Sequence, residues 1–136
     1  MSSSPLVEEE SDARSVVERY LREVLGGAGP ATAEQLIANE ALRQKVSSFR
    51  AAFPDLAISP HLILADGEHV AVHMSARATH RGIFQGVPPT GRSWTASCSA
   101  LYRIQQGAIS DFWINWDVLG ILEQLGAIRR PLEASA

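Results

Sequence analysis

Apolar residues recur at helical spacing along the first third of the chain and alternate with polar ones along the rest. Val16, Val17, Tyr20, Leu21 and Val24 form one helical stripe. Ser11 or Asp12 offers a capping side chain before it, and Gly26-Gly27-Ala28-Gly29-Pro30 ends it. A second stripe, Leu36, Ile37, Leu42, Val46 and Phe49, predicts a helix from Thr32 up to Phe53-Pro54. Beyond that point the period becomes two. Strands are predicted over 57–64, 68–80, 93–104 and 108–116, with Asp66-Gly67 and Gln106-Gly107 as hairpin turns. A short helix over 117–126 closes the pattern.

Helices followed by an antiparallel meander give an α+β fold, with the helices on one face of the sheet. Strand parity names that face. Val70, Val72, Met74, Ala76 and Ala78 share it with Trp94, Ala96, Cys98, Ala100, Tyr102 and Ile104, and with Phe112, Ile114 and Trp116. A β-bulge would reverse the parity downstream of it. Small residues (Ala76, Ala78, Ala96, Cys98, Ala100) sit beside large rings (Trp94, Tyr102, Phe112, Trp116) on this face. They either pack solid or leave a ring-lined hollow. The outward set, Thr95, Ser97, Ser99, Leu101, Trp113 and Asn115, is mixed, with a tryptophan near its centre. Tryptophan is enriched at interface centres, so Trp113 is the expected anchor of a homodimer.

The chain has 136 residues, enough for one domain. We expect an acidic flexible leader over 1–10, a single domain over 11–128 and a tail over 129–136. A net charge of −3 offers no basic patch for nucleic acid. No apolar run is long enough to span a bilayer, and the acidic start lacks the features of a signal peptide. The expectation is a cytoplasmic protein with neither membrane nor nucleic-acid partner. The single cysteine allows no intrachain disulfide and no cysteine zinc cluster.

Few residues carry chemistry. Asp117, between the last strand and the closing helix, is either that helix's N-cap or a general base at a cavity mouth. His80 shares the inward parity. It either works as an acid or oxyanion donor at the rim or hydrogen-bonds the 82–91 connection. Cys98, among alanines, behaves as a small hydrophobe. His69 and His73 stand four apart on one strand, about 13 Å, too far for one ion. No metal site and no cofactor are expected.

Three segments carry a family likeness: the Phe53-Pro54-Asp55-Leu56 entry, the Gly86-Val87-Pro88-Pro89-Thr90-Gly91 turn, and the Leu119-Gly120 to Leu125-Gly126 end. With the order of elements, they make the chain resemble the SnoaL-like polyketide cyclases of the nuclear transport factor 2-like superfamily. The resemblance implies a cone-shaped, curved antiparallel sheet wrapped around N-terminal helices, an internal cavity, and frequent dimers. It also implies a hydrophobic small-molecule ligand and cofactor-free chemistry. The family's cyclase histidine and aspartate, however, fall on Ala100 and Ile114, and a nearby polar position falls on Cys98. Neither alanine nor isoleucine abstracts a proton. Two expectations therefore stand. One is a polyketide-type tailoring step (cyclisation, isomerisation or dehydration) with Asp117 or His80 as acid/base and Tyr102 as hydrogen-bond donor. Met74, Trp94, Cys98, Ala100, Phe112, Ile114 and Trp116 would bind the substrate. The other is a non-catalytic binding protein for an apolar metabolite.

Overall fold

A computed structural model describes residues 5–129. Its first helix, α1, spans Pro5–Arg19 and passes directly into a π-helical turn over Tyr20–Leu25. The expected start near Ser11 is therefore six residues late, and most of the supposed flexible leader is helix. The reason is local. Proline fits the first helical turn, where its missing N–H goes unused, and acidic residues there favour the positive end of the helix dipole. Glu10 also accepts a bond from the Gly67 amide at 3.1 Å, tying the helix to a hairpin turn. Residues 1–4, and the 130–136 part of the expected tail, lie outside the described residues.

The second helical stripe is split. A 3-10 turn over Ala31–Leu36 precedes α2, Glu40–Ala52, which is capped by Asn39 through a 3.2 Å bond from the Leu42 amide. Between them the chain runs extended. Ile37 bridges Ile109, and the Ala38 amide donates to the Ile109 carbonyl at 2.9 Å. Backbone pairing to the sheet, together with the Asn39 cap, overrides the helical spacing here.

Four strands follow: β1 (Ala57–Asp66), β2 (His69–Thr79), β3 (Ser93–Gln105) and β4 (Ala108–Trp116). They form one antiparallel sheet in the order β1-β2-β3-β4, closed by helix α3 at Val118–Gln124. Gln106 and Gly107 both take positive φ, the conformation a tight hairpin turn demands. Parity holds along β2 and β3, whose even-numbered residues are buried apart from the half-buried Ala96. At the start of β4 the register slips. Arg103 pairs with Asp111 but Ile104 pairs with Ile109, leaving Ser110 as the extra residue. Ile109 therefore turns inward although its number is odd, while Phe112, Ile114 and Trp116 are half-buried. A second slip, between Pro60 and Leu62 in β1, leaves His61 unpaired.

The helices lie across the inward face. Val17, Tyr20, Leu42 and Phe53 meet Val70, Met74, Trp94 and Tyr102 in one buried cluster. Arg50 braces α2, donating to the Leu25 carbonyl at 2.9 Å and to the Pro54 carbonyl at 3.3 Å. Among the described residues, no helix is long and apolar enough to cross a membrane.

Candidate functional site

Between α2, the π-helical turn and the concave side of β2–β4 lies a cleft of about 760 Å³. That volume falls within the range of small-molecule sites. Its inner end is made by Tyr20, Met74 and Tyr102, all fully buried. One wall is a ring stack in which Phe49 lies 4.9 Å from Trp116 with their planes 24° apart. Ile114 and Val118 extend this wall, and Ile83 and Phe84 from the β2–β3 connection form another. Ile83 is 72% exposed, a large apolar side chain left at the rim. Lys45 is the charged side chain on the lining; neither a carboxylate nor an imidazole is among the lining residues.

The inner end holds the site's distinctive polarity. Tyr20 and Tyr102 meet edge to face, their centroids 5.3 Å apart at 64°. Burial pushes both phenols' pKa up, well past the ordinary tyrosine value. Each hydroxyl also acts on the other: Tyr102 favours ionisation of Tyr20, and Tyr20 opposes ionisation of Tyr102. That is the sense expected if the Tyr102 O–H points toward the Tyr20 oxygen. The approach nevertheless lacks good hydrogen-bond geometry, and Tyr102 Oη is buried with no partner. Cys98 nearby is pushed up to about 12, chiefly by desolvation, so its thiol stays protonated.

The structure thus brings four of the residues expected from the sequence to one cleft: Met74, Tyr102, Ile114 and Trp116. The others sit elsewhere. Trp94 packs in the core against Phe53 at 4.9 Å, and its indole N–H is buried and unpartnered. Cys98 and Ala100 are buried in the same core, and half-buried Phe112 packs against it. Asp117 caps α3, accepting from the Gly120 amide at 3.0 Å. His80 is fully buried but off the cleft. Its Nδ1 accepts from the Thr90 amide at 3.1 Å, with Thr90 Oγ1 at 3.0 Å. Nε2 therefore carries the ring hydrogen, buried against Phe53 and without a partner. Backbone bonds from His80 to Arg92 and from Gly91 to His80 close the same loop.

Three contributors escaped the sequence reading. Tyr20 read as one more core position on a helical stripe. Phe49 also read as core, yet it turns its ring to the cleft. Lys45 was not singled out at all. The π-helical turn at Tyr20 gives no local sequence cue, although such turns often occur at functional sites. Among the described residues, no three His, Cys, Asp or Glu side chains come together as a metal site.

A second groove, about 480 Å³, lies at the β1–β3 edge beside Asp55, Arg77 and Thr79. Asp55 is already engaged there, accepting from the Thr79 amide and hydroxyl at 2.7 Å each.

Comparison with known proteins agrees with this architecture. The family model for SnoaL-like polyketide cyclases matches residues 9–125. Among solved structures, a candidate SnoaL-like polyketide cyclase from Jannaschia sp. CCS1 is 19% identical with a TM-score of 0.78, over 95% of this chain and 99% of that one. AclR, a candidate hydroxylase from Streptomyces galilaeus, is 22% identical with a TM-score of 0.77, over 93% of this chain and 95% of its own. IdmH, a candidate polyketide cyclase from Streptomyces antibioticus, is 26% identical with a TM-score of 0.69, over 84% of this chain and 98% of its own. None of the curated proteins compared with the chain matches it.

Proposed function

The chain belongs to the SnoaL-like polyketide cyclase family, and on that premise we propose that it acts on a hydrophobic, ring-bearing polyketide-type metabolite held in the cleft. The observation that carries this reading is the pairing of an aromatic wall with uncharged hydrogen-bonding side chains on one lining. The Phe49–Trp116 stack offers area to a flat ring, and Gln44, Ser48, Gln85 and Asn115 on the same lining offer hydrogen bonds to its oxygens.

The chemistry follows from what the lining contains. A neutral amide or hydroxyl donor polarises a carbonyl and stabilises charge as it develops on the oxygen, most strongly where water is excluded. With no carboxylate or imidazole on the lining, the step that fits is one needing little help from a base. Enolisation, dehydration or ring closure of an already acidic β-dicarbonyl unit meets that requirement, with the proton leaving to water at the open mouth. Asp117 and His80, each engaged in its own structural bond, are not needed by this reading.

One observation favours a second reading. With neither a carboxylate nor an imidazole on its lining, the cleft is also suited to holding a molecule without converting it. Native mass spectrometry of the purified protein, with extraction and identification of any bound molecule, tests the first part. Incubation of that molecule with the protein, followed by product analysis, separates the readings. A changed product formed only in the presence of the protein supports catalysis. Stoichiometric recovery of unchanged ligand supports a carrier, and absence of any ring-bearing ligand from material made in the native host argues against both.

We also propose a homodimer through the outer sheet face. Trp113 is 47% exposed there, and Leu62 and Leu64 on β1 are 53% and 56% exposed. Light scattering at micromolar concentration should give twice the chain mass, and Trp113→Glu should return the monomer. A wild-type monomer would refute this.

A further inference from the structure

We propose that His61 and His73, side by side across β1 and β2 on the outer face of the sheet, form a two-imidazole site for a divalent transition-metal ion of the Cu²⁺, Ni²⁺ and Zn²⁺ class. The site uses residues of one chain and lies on the face turned away from the cleft. It depends on neither the ligand reading nor the homodimer.

Three observations converge. First, the bulge between Pro60 and Leu62 leaves His61 out of the β1–β2 ladder, and Leu62 takes the place opposite His73. A bulge re-aims a side chain from the position that simple alternation would give it. Here it brings the His61 ring beside that of His73, with centroids 5.9 Å apart and planes at 45°. Two imidazoles that bind one ion at about 2.0–2.1 Å per nitrogen hold their ring centres about 4.5–6.4 Å apart, depending on the angle at the metal. The separation in this protein falls inside that interval.

Second, each ring already has a partner on one nitrogen. His61 Nε2 lies 2.8 Å from Ser75 Oγ, and His73 Nδ1 lies 3.3 Å from Ser99 Oγ. A neutral imidazole carries its hydrogen on one nitrogen and a lone pair on the other. With the hydrogen on the serine side, Nδ1 of His61 and Nε2 of His73 are left as the donors. A hydrogen bond at the far nitrogen is what fixes the tautomer and orientation of a ligating histidine. Third, both rings are exposed, so an ion reaches them directly and keeps water in its remaining positions.

The donor set names the metal. Among the described residues, no carboxylate or thiol joins the pair to make a cluster of three. Two imidazoles and water suit Cu²⁺, Ni²⁺ and Zn²⁺, whereas Mg²⁺ and Ca²⁺ take oxygen ligands. Affinity should follow the ordinary order, with Cu²⁺ bound most tightly. An ion held by both rings clips the edge strand β1 to β2 where the bulge interrupts their pairing. Spacing along one strand offers His73 only the distant His69; its neighbour comes from β1, through a bulge that alternation does not show.

The test is titration of tag-free protein with Cu²⁺, read by calorimetry and by pulsed electron paramagnetic resonance, which counts the imidazoles on the ion. The expected result is one ion per chain carrying two imidazoles. His61→Ala and His73→Ala should each weaken binding by about tenfold or more and leave one imidazole on the ion, because the second ring binds as an intramolecular event. His69→Ala removes another exposed imidazole from β2 and should change neither readout. All three rings are exposed, and an unchanged metal-free Tm will show that the variants keep the fold. One imidazole or none on the wild-type ion overturns the proposal, as does an affinity that survives either His61→Ala or His73→Ala. Loss of the two-imidazole signal in His69→Ala also overturns it, placing the ion elsewhere.

Discussion

Removing the Tyr102 hydroxyl should make the ligand-free protein more stable. The hydroxyl is fully buried and unpartnered, so it lost its hydrogen bonds to water on folding and regained no good one. Leaving such a group unsatisfied costs about 1–3 kcal/mol. Tyr102→Phe keeps the ring, its edge contact with Tyr20 at 5.3 Å and nearly all of the packed volume. Part of the gain is offset by the loss of the weak approach to the Tyr20 oxygen. The net expectation is a stabilisation of about 0.5–2 kcal/mol, or roughly 2–7 °C in Tm for a domain of this size. Urea unfolding followed by tryptophan fluorescence reads it as a higher midpoint at unchanged slope. A loss of stability of 1 kcal/mol or more would refute the reasoning, because it would mean the hydroxyl is satisfied in the folded state.

Three further expectations follow from the contacts around the site. Asp117→Ala should cost about 1 kcal/mol by removing the cap of α3, whereas Asp117→Asn should keep stability within a few tenths, as thermal unfolding of both will show. The Asp55 carboxyl is held below its ordinary pKa first by the Thr79 amide and then by its hydroxyl. Because the folded pKa is the lower one, this stabilisation is present above about pH 4 and is lost as the pH falls through the folded value. The midpoint difference between wild type and Asp55→Ala should accordingly be larger at pH 7 than at pH 2.5. Cys98, with its pKa pushed up to about 12, should react with iodoacetamide at pH 8 about a thousandfold more slowly than in urea-unfolded protein, measured by mass spectrometry.

The sheet was the legible part of this fold. Strict alternation through 68–80 and 93–104 gave both the strands and the face that the helices cover, because a strand's side-chain period is fixed by its own backbone. Ser110 marks where that reasoning stops: the bulge is visible only in how β4 pairs with Ile104, a relation between segments. The helical half was harder to read. The spacing of Leu36 and Ile37 fits a helix well, yet Ile37 leaves it to pair with Ile109.

The site was only partly legible, for a related reason. Tyr102, Met74, Ile114 and Trp116 followed from parity, since the inward face of a curved sheet is where a cleft must lie. Tyr20 and Phe49 did not, because helical spacing says which side of a helix is buried, not whether that side meets a sheet or an opening. Ile83 and Phe84 reach the cleft through the course of the 82–91 connection, which the buried His80 fixes by bonding to Thr90 and Arg92. For His80 and Asp117 the sequence reading left a structural bond open as the alternative to chemistry, and that bond is what each is seen to make.

A crystal structure of the protein with a hydroxylated ring ligand tests the central claim most directly. The account predicts the ring against the Phe49–Trp116 stack, with its oxygens hydrogen-bonded to polar side chains of the lining such as Gln44, Ser48, Gln85 or Asn115. A ligand seated in the groove beside Asp55, or one in the cleft away from the ring stack with its oxygens turned to solvent, would contradict it.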